Sequence, residues 1–261
     1  MLRPRVIPVL LINGRGLYKT RQFKDPKYVG DPVNTVKIFN EKEVDEICVL
    51  DITASIDKRL PNIPLIREIA GECFMPMSYG GGVRTLEQAR TIFNAGVEKI
   101  ILNTLVHDSP EIVRNIVSYA GAASVVISID FKKRLMRGYE VYTSCGKRAT
   151  GLNLLDFARG MEKLGAGEIL IQSIDRDGTM QGYDLEPIQR VSEEVTIPII
   201  ACGGAGRLSD FASAIESGAS AVAAGSYFVF QGKHRAVLLS YPTPQEVESL
   251  PLTAGRHIIK M

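Results

Sequence analysis

Eight short apolar runs recur along the chain, and a longer amphipathic segment separates most of them from the next. The runs are rich in Val and Ile, and they stay apolar throughout instead of alternating with polar residues. Continuous apolar runs of this length are typical of parallel strands that are buried on both faces. The runs are Val6–Ile12, Ile47–Asp51, Met75–Tyr79, Lys99–Leu102, Val125–Asp130, Ile169–Ser173, Ile197–Cys202 and Ala221–Ala224.

The segments between the runs predict helices. Two of them stop at a glycine, Gly96 and Gly218, which is a common signal for the end of a helix. Strands that alternate with helices in this way predict a (β/α)8 barrel, and a chain of 261 residues suits that fold. We assign residues 1–241 to one barrel and 242–261 to a tail that is either a short helix or disordered. The predicted helices are Thr85–Ala95, Pro110–Tyr119, Asn153–Leu164, Leu185–Glu194 and Leu208–Ser217.

The second half of the chain resembles the first. The segment PMSYGGGVRTLEQARTIFNAGVEKIILNT from Pro76 aligns with PIIACGGAGRLSDFASAIESGASAVAAGS from Pro198, at an offset of 122 residues. The barrel is therefore predicted to consist of two similar (βα)4 halves. A two-domain Rossmann arrangement is the rival architecture, but neither half has the dinucleotide-binding glycine pattern after its first strand.

Composition narrows the range of functions. Apolar residues make up 45% of the chain and the net charge is +2, so nothing indicates a nucleic-acid or membrane partner. No apolar run approaches the roughly 20 residues that a membrane crossing needs, and the amino terminus does not resemble a signal peptide. A cytoplasmic location is expected. The four cysteines show no CxxC pair and no zinc-site spacing, and we predict neither a metal nor a cofactor.

Two glycine-rich turns predict phosphate binding. Each follows an apolar run and precedes a helix, so backbone N–H groups can face an anion there. A short polar pair ends the next strand of each half. The alternative is that these glycines only permit tight turns and bind no ligand. Because a matching turn occurs in each half of the chain, we favour a ligand with two anionic groups. The predicted residues are Gly81, Gly82, Asn103 and Thr104 in the first half and Gly203, Gly204, Gly225 and Ser226 in the second.

Five motifs, in order and at the right spacing, resemble the cyclase subunit of imidazole glycerol phosphate synthase. They are GDPV (Gly30–Val33), LDITAS (Leu50–Ser55), YGGGVRT (Tyr79–Thr85), IDRDGT (Ile174–Thr179) and ACGGAG (Ala201–Gly206). The resemblance implies a barrel paired with a class I glutaminase, whose ammonia enters at the barrel floor. It also implies that Asp177 and Gly178 contact substrate. It further implies that Lys19, in a long first loop, pairs with phosphate or an anionic intermediate.

Four charged residues are expected at the amino ends of the strands. Their position alone indicates a cluster in which charges of alternating sign satisfy one another at the barrel floor. The resemblance implies a further role as an ammonia gate that faces the glutaminase. A purely structural ion-pair cluster is the alternative. The residues are Arg5, Glu46, Lys99 and Glu168.

One departure from the family pattern concerns catalysis. The resemblance implies two aspartates that act as general acid and base, at the ends of the first and fifth strands. Asp130 ends the fifth strand, but Leu11 occupies the first position. Loss of a positioned acid or base typically costs about 10²–10⁴-fold in rate. Cys145 and Gln172 also stand where the family has hydroxyl residues. Because Leu11 removes one aspartate, we expect Asp130 and Lys19 to carry the remaining chemistry.

Three further segments resemble a divergent branch of the family that accompanies an amidotransferase in surface-polysaccharide pathways. They are FNEKEVDE (Phe39–Glu46), GECFMP (Gly71–Pro76) and FQGKHRAVLLSYP (Phe230–Pro242). That resemblance implies a heterodimer with a glutaminase, in which ammonia reaches a phosphorylated substrate for acetamidino-sugar (lipopolysaccharide) synthesis. A working lyase of histidine biosynthesis, a non-catalytic ammonia-conducting scaffold that activates a glutaminase, and a phosphate-binding isomerase remain alternatives.

Overall fold

The computed structural model of the protein describes residues 3–135 and 138–253. Its strands are β1 (Arg5–Asn13), β2 (Gly16–Arg21), β3 (Lys24–Gly30), β4 (Ile47–Asp51), β5 (Met77–Gly80), β6 (Lys99–Leu102), β7 (Val125–Arg134), β8 (Gly138–Thr143), β9 (Arg148–Asn153), β10 (Glu168–Ser173), β11 (Ile199–Cys202), β12 (Ala221–Ala224), β13 (Phe230–Gln231) and β14 (Ala236–Val237). Its helices are α1 (Pro32–Glu41), α2 (Ile63–Gly71), α3 (Leu86–Phe93), α4 (Thr104–Asp108), α5 (Glu111–Ala120), α6 (Leu154–Lys163), α7 (Leu185–Glu194), α8 (Leu208–Glu216), α9 (Ser226–Val229) and α10 (Pro244–Glu248), with one 3₁₀ turn at Ala122–Ser124.

Eight parallel strands close into a barrel in the order β1-β4-β5-β6-β7-β10-β11-β12. Closure is made by β1, which pairs with β12 on one side and with β4 on the other. The (β/α)8 prediction is therefore confirmed, and every predicted apolar run lies on a barrel strand. Both β5 and β11 start two residues later than predicted, just after Pro76 and Pro198. Proline has no N–H group to donate to a neighbouring strand, so regular strand pairing begins after it. The two proline carbonyls still accept hydrogen bonds from Ile47 and Ile169.

The predicted helices all occur, with ends shifted by at most two residues. The prediction missed α1 and α2, although both begin with recognisable signals. Asp31 caps α1 by accepting a hydrogen bond from Asn34 N, and a proline opens the first turn. Asn62 caps α2 in the same way, through Leu65 N. A capping side chain followed by proline is a standard helix start, so local sequence contained this information.

The long first loop contains regular secondary structure that was not predicted. Residues 13–31 form the antiparallel hairpin β2–β3, which continues from β1 above the barrel. Asn13 pairs with Gly16 across a two-residue turn, and Gly14 has a φ of +60°. Glycine at the first position of a two-residue turn is a hairpin signal that could have been recognised. The half-barrel repeat extends to this element, because the offset of 122 residues carries Gly16–Arg21 onto strand β8, Gly138–Thr143.

The core has two layers. The outer layer lies between strands and helices, and it includes Val247 and Leu250 of the predicted tail. Residues 254–261 of that tail lie outside the described residues. The inner layer fills the barrel with small and medium apolar side chains, as in other closed barrels of this size. In the described ranges, no helix combines the length and apolarity that crossing a membrane requires. The inner layer includes Ile7, Val9, Leu11, Cys48, Ile101, Leu170, Cys202, Ala221 and Ala223.

Candidate functional site

A cavity of about 320 Å³, here called the main cavity, opens where the barrel strands end. Ligands of parallel barrels bind at this face, because the loops after the strands surround it. Asp130 and the four predicted first-half phosphate residues all line the main cavity. We call these four the first-half cradle: Gly81, Gly82, Asn103 and Thr104.

The polar side chains of the first-half cradle are held in place by the protein. The Asn103 amide donates to the carbonyl of Ser128 at 3.1 Å, and the Thr104 hydroxyl accepts from Ser144 N at 3.0 Å. Gly81 has a φ of +123°, and a Cβ there would lie 2.6 Å from the Asp51 carbonyl oxygen. The glycine is therefore required by the packing of the turn itself, whether or not an anion binds beside it.

The second-half cradle comprises Gly203, Gly204, Gly225 and Ser226. These residues also come together, with Lys19, Asp177 and Gly178, around a minor cavity. All ten predicted phosphate- or substrate-binding residues thus lie at the mouth of the barrel.

Lys19 lies on strand β2, within the hairpin, and not in an irregular loop. Its side chain is buried, and Nζ donates a hydrogen bond to the carbonyl of Val9. A Cβ placed on Gly225 would lie 2.7 Å from the same Nζ atom. Burial lowers the pKa of Lys19 to about 8, although the charge of Asp177 opposes the shift. The ammonium therefore occupies the space beside the second-half cradle.

Asp177 anchors the hairpin to the loop after β10. Its Oδ2 accepts from the Thr20 hydroxyl at 2.9 Å and from Phe23 N at 3.3 Å, and its backbone carbonyl accepts from Gln22 N. Its Oδ1 accepts from the Gln172 amide at 3.4 Å. Burial raises the pKa of this carboxyl, and the Thr20 and Phe23 hydrogen bonds oppose the rise. The carboxylate predicted to contact substrate is thus engaged by the protein itself.

Asp130 is the titratable group of the main cavity best suited to proton transfer. Burial raises the pKa of its carboxyl to about 7; the Asn103 amide opposes this shift and the charge of Asp177 adds to it. The Ser128 hydroxyl donates to Asp130 Oδ1 at a long 3.5 Å. A carboxyl that titrates near neutral pH can both accept and donate a proton, which is the requirement for general acid–base catalysis.

Leu11 lies on the opposite wall of the barrel from Asp130 and lines both cavities. Asp51 also borders the main cavity, but its Oδ1 accepts hydrogen bonds from Ala54 N at 2.9 Å and from Arg59 at 3.3 Å. Its role is to hold the turn after β4, so it does not replace the missing acid. The described residues contain no group of three His, Cys, Asp or Glu that could hold a metal ion.

Sequence reasoning missed one cation at the site. Lys147 lines the main cavity from the turn between β8 and β9, close in sequence to Cys145. Cys145, in the same turn, stands where the family has a hydroxyl residue. That difference could have indicated that the turn belongs to the site. The Cys145 thiol itself donates to the carbonyl of Ile52 at 3.0 Å.

The four predicted floor residues form a closed ring of alternating charge, here called the four-charge ring. Arg5 pairs with Glu46 at 2.5 Å and with Glu168 at 2.6 Å. Lys99 pairs with the same two carboxylates at 3.0 and 3.1 Å. Burial opposes the charge of Arg5, but the two glutamates outweigh it and raise the pKa of the guanidinium. The ring closes the barrel floor with each charge satisfied.

The conserved-sequence profile described as "Histidine biosynthesis protein" matches residues 5–235. A Pseudomonas aeruginosa protein, provisionally named imidazole glycerol phosphate synthase subunit hisF2, is 50% identical over 95% of this chain and 99% of its own length. A Vibrio vulnificus protein, provisionally named subunit hisF3, is 46% identical over 94% of this chain and 95% of its own. The HisF subunit of Thermococcus gammatolerans is 44% identical over 87% of this chain and 90% of its own. Together with the barrel, these similarities show that the chain belongs to the HisF family, the cyclase subunits of imidazole glycerol phosphate synthase.

Proposed function

We propose that the chain is an ammonia-using synthase subunit that serves acetamidino-sugar synthesis for surface polysaccharide. In this proposal a class I glutaminase docks on the barrel floor, and ammonia reaches a phosphorylated acceptor in the main cavity. The observation that carries the proposal is Leu11, an apolar side chain that lines the main cavity across the barrel from Asp130. A site with one acid–base carboxyl favours an acceptor other than the histidine precursor.

The floor suits the entry of ammonia. The four-charge ring surrounds the barrel axis, and above it the interior is lined by apolar and small side chains such as Val9, Ala221 and Ala223. Neutral ammonia enters such an interior at far lower cost than the ammonium ion, because burying an unpaired charge is expensive. Entry requires the ring to open, and the two ion pairs of Lys99 are the ones we propose to break.

The floor also presents an aromatic side chain suited to a docked partner. Phe74, in the turn between α2 and β5, is 88% exposed. Its turn is held firmly, because Phe74 N donates to the Asn40 side chain at 3.1 Å while the Asn40 amide donates to the Glu72 carbonyl. Preorganised aromatic residues are frequent hot spots of protein interfaces. We propose that Phe74 packs against the glutaminase.

In the main cavity the proposed chemistry needs one proton acceptor and one donor. Ammonia attacks an electrophilic carbon of the acceptor, and the Asp130 carboxylate takes a proton from the nitrogen as the new C–N bond forms. The same carboxyl then gives that proton to the oxygen of the acceptor's carbon–oxygen bond as this bond breaks, so that the leaving group departs as a neutral hydroxyl compound. A pKa of about 7 allows both steps without a second carboxyl, at a cost in rate relative to a matched pair.

Association with a glutaminase tests the proposal. The chain is co-expressed with the class I glutaminase of the same organism, and the complex is measured by size-exclusion chromatography and calorimetry. We expect a stable heterodimer, and Phe74→Ala should weaken it at least tenfold, as for a typical hot spot. Leu135→Ala, a fully exposed leucine at the opposite end of the barrel, is the matched control and should bind normally. A wild-type chain that binds no glutaminase would refute the proposal.

The histidine-pathway reaction is the second candidate, favoured by 44% identity to the Thermococcus gammatolerans HisF subunit. Turnover of the imidazole glycerol phosphate precursor with ammonium salts separates the two. The main proposal expects little or no turnover by the wild type. Growth of a cyclase-deficient histidine auxotroph on this chain alone would instead favour the second candidate.

A further inference from the structure

Lys147 is the only cation among the described residues that line the main cavity. Two carboxyl groups, those of Asp51 and Asp130, line the same cavity. Arg59 pairs with Asp51 at 3.3 Å and offsets its charge, whereas Asp130 forms no ion pair in the described ranges. A phosphate monoester adds about 1.5 to 2 negative charges at neutral pH. A phosphorylated acceptor therefore needs a positive charge in this cavity, and Lys147 is the side chain that can provide it.

The turn that carries Lys147 is fastened beside the first-half cradle, which contains glycines, an amide and a hydroxyl but no charged side chain. The Thr104 hydroxyl of the cradle accepts a hydrogen bond from Ser144 N, at 3.0 Å, where the turn begins. The Cys145 thiol of the same turn donates to the Ile52 carbonyl at 3.0 Å. The turn is thus held from two sides, so the backbone of Lys147 has a fixed position beside the cradle.

The backbone of this turn repeats the turn of the other hairpin. At the offset of 122 residues, Ser144 corresponds to Gln22 and Cys145 to Phe23. All four residues are left-handed, with φ values of +54° and +53° in the first pair and +53° and +61° in the second. Such conformations are unfavourable for residues other than glycine and persist only where the surrounding structure maintains them. The two hairpins therefore have equivalent turns at equivalent points of the two half-barrels.

Each hairpin brings a lysine to the cradle of the opposite half. The β2–β3 hairpin belongs to the first half, and its Lys19 lies beside the second-half cradle, with Nζ 2.7 Å from a Cβ built on Gly225. The β8–β9 hairpin belongs to the second half, and its Lys147 lines the cavity of the first-half cradle. The two lysines occupy different positions of the repeat, and Lys19 is buried while Lys147 is exposed. The exchange nevertheless gives each cradle one cation.

The cation next in sequence is already engaged elsewhere. Arg148 does not line the main cavity, and it pairs with Asp108 at 3.1 Å. Within the part of the chain that the structure describes, Lys147 forms no ion pair and no side-chain hydrogen bond. Its ammonium group is therefore available to an anion in the main cavity, and Arg148 offers a matched comparison.

We propose that Lys147 is the cation of the first-half cradle and binds the phosphate of the acceptor there. This inference rests on the phosphorylated acceptor of the proposed function, and it assigns that phosphate to the cradle that shares a cavity with Asp130. The phosphate anchors one end of the acceptor, and the reacting carbon lies towards Asp130. Lys147 takes no part in proton transfer, so its loss should raise the KM for the acceptor more than it lowers kcat.

Phosphate titration tests the inference. Inorganic phosphate is titrated into the full chain by calorimetry at low ionic strength. Lys147→Met should weaken binding at the first-half cradle by about tenfold or more, because a charge-assisted hydrogen bond is lost. Lys147→Arg retains the charge and should keep most of the affinity. Arg148→Met removes the neighbouring cation, which is paired and half-exposed, and should change the affinity by less than about twofold.

Chemical labelling then locates the bound phosphate. The exposed amine of Lys147 reacts with N-hydroxysuccinimide acetate, and mass spectrometry measures the acetylation of each lysine. Saturating phosphate, compared with chloride at matched ionic strength, should lower the acetylation of Lys147 by about threefold or more, because the bound ammonium is less nucleophilic. Lys163, exposed at the end of α6, should be unaffected. The protection should persist in Ser226→Ala, so the label separates the two cradles even when both bind phosphate.

Unchanged phosphate affinity in Lys147→Met, or equal acetylation of Lys147 with and without phosphate, would overturn the inference and leave the proposed function intact. An equal loss of affinity in Arg148→Met would also overturn it, because the effect would then come from surface charge in general. Absence of any phosphate binding would overturn the inference together with the phosphorylated acceptor. Failure of the proposed function is read separately, from the absence of a complex with the glutaminase. The labelling of the wild type decides the matter even if Lys147→Met fails to fold, which circular dichroism would reveal.

Discussion

Asp130→Asn is expected to lower ammonia-dependent product formation by about 10²–10⁴-fold while it stabilises the protein at neutral pH. The loss of rate follows because Asp130 is the acid–base carboxyl of the main cavity. The gain in stability follows because burial raises its pKa from 3.8 to about 7. Such a shift corresponds to about 4 kcal/mol, as an upper estimate. Opposite effects on activity and stability are typical of functional residues held in an unfavourable environment.

The raised pKa of Asp130 makes the stability of the protein depend on pH. The folded state binds the Asp130 proton more tightly than the unfolded state, so stability falls as the pH rises from about 4 to about 7. Below this window both states are protonated, and the penalty is absent. In urea denaturation, Asp130→Asn should therefore exceed the wild type at pH 8 and match it more closely at pH 4.

Asp177→Asn is the matched control for this experiment. Its carboxyl is also buried with a raised pKa, but it accepts hydrogen bonds that fasten the hairpin. Its replacement should therefore loosen the hairpin and lower stability at pH 8, in contrast to Asp130→Asn. If Asp130→Asn left the product yield of the full complex unchanged, the barrel would act as an ammonia-conducting scaffold.

Glu46→Gln is expected to lower the free energy of unfolding by about 3–5 kcal/mol, because it leaves the two cations of the ring with a single carboxylate, Glu168, between them. The Glu46 side chain is only 3% exposed, and it pairs with both Arg5 and Lys99. The double variant Glu46→Gln/Lys99→Met restores the charge balance of the ring and should recover part of the loss. A double-mutant cycle in urea then gives the coupling between the two residues.

Asp108→Asn provides the control for the ring. Asp108 pairs with Arg148 at 3.1 Å, but both side chains are about half exposed, so the change should cost less than about 1 kcal/mol. Equal effects of Glu46→Gln and Asp108→Asn would show that the ring contributes nothing special to the floor. Glutamine-dependent activity should fall further than ammonium-dependent activity in Glu46→Gln if the ring also gates ammonia.

The amino-acid sequence by itself determined the barrel and the place of the site. Strands buried on both faces must be apolar throughout, so runs such as Val125–Asp130 could be recognised without any structure. The repeat at 122 residues located both cradles, because paired glycine turns occur at equivalent points of each half. Charged residues at strand starts predicted the ring, since the amino ends of parallel strands meet at one face. The caps at Asp31 and Asn62 show that α1 and α2 were within reach of the same reasoning.

Only the tertiary structure decided where the first hairpin lies and how the groups of the site titrate. The contact between Thr20 and Asp177 joins residues 157 positions apart, and no local pattern indicates it. That contact brings the hairpin over the second-half cradle and buries Lys19 beside it. The pKa of about 7 at Asp130 likewise arises from burial, which depends on how all eight strands pack together.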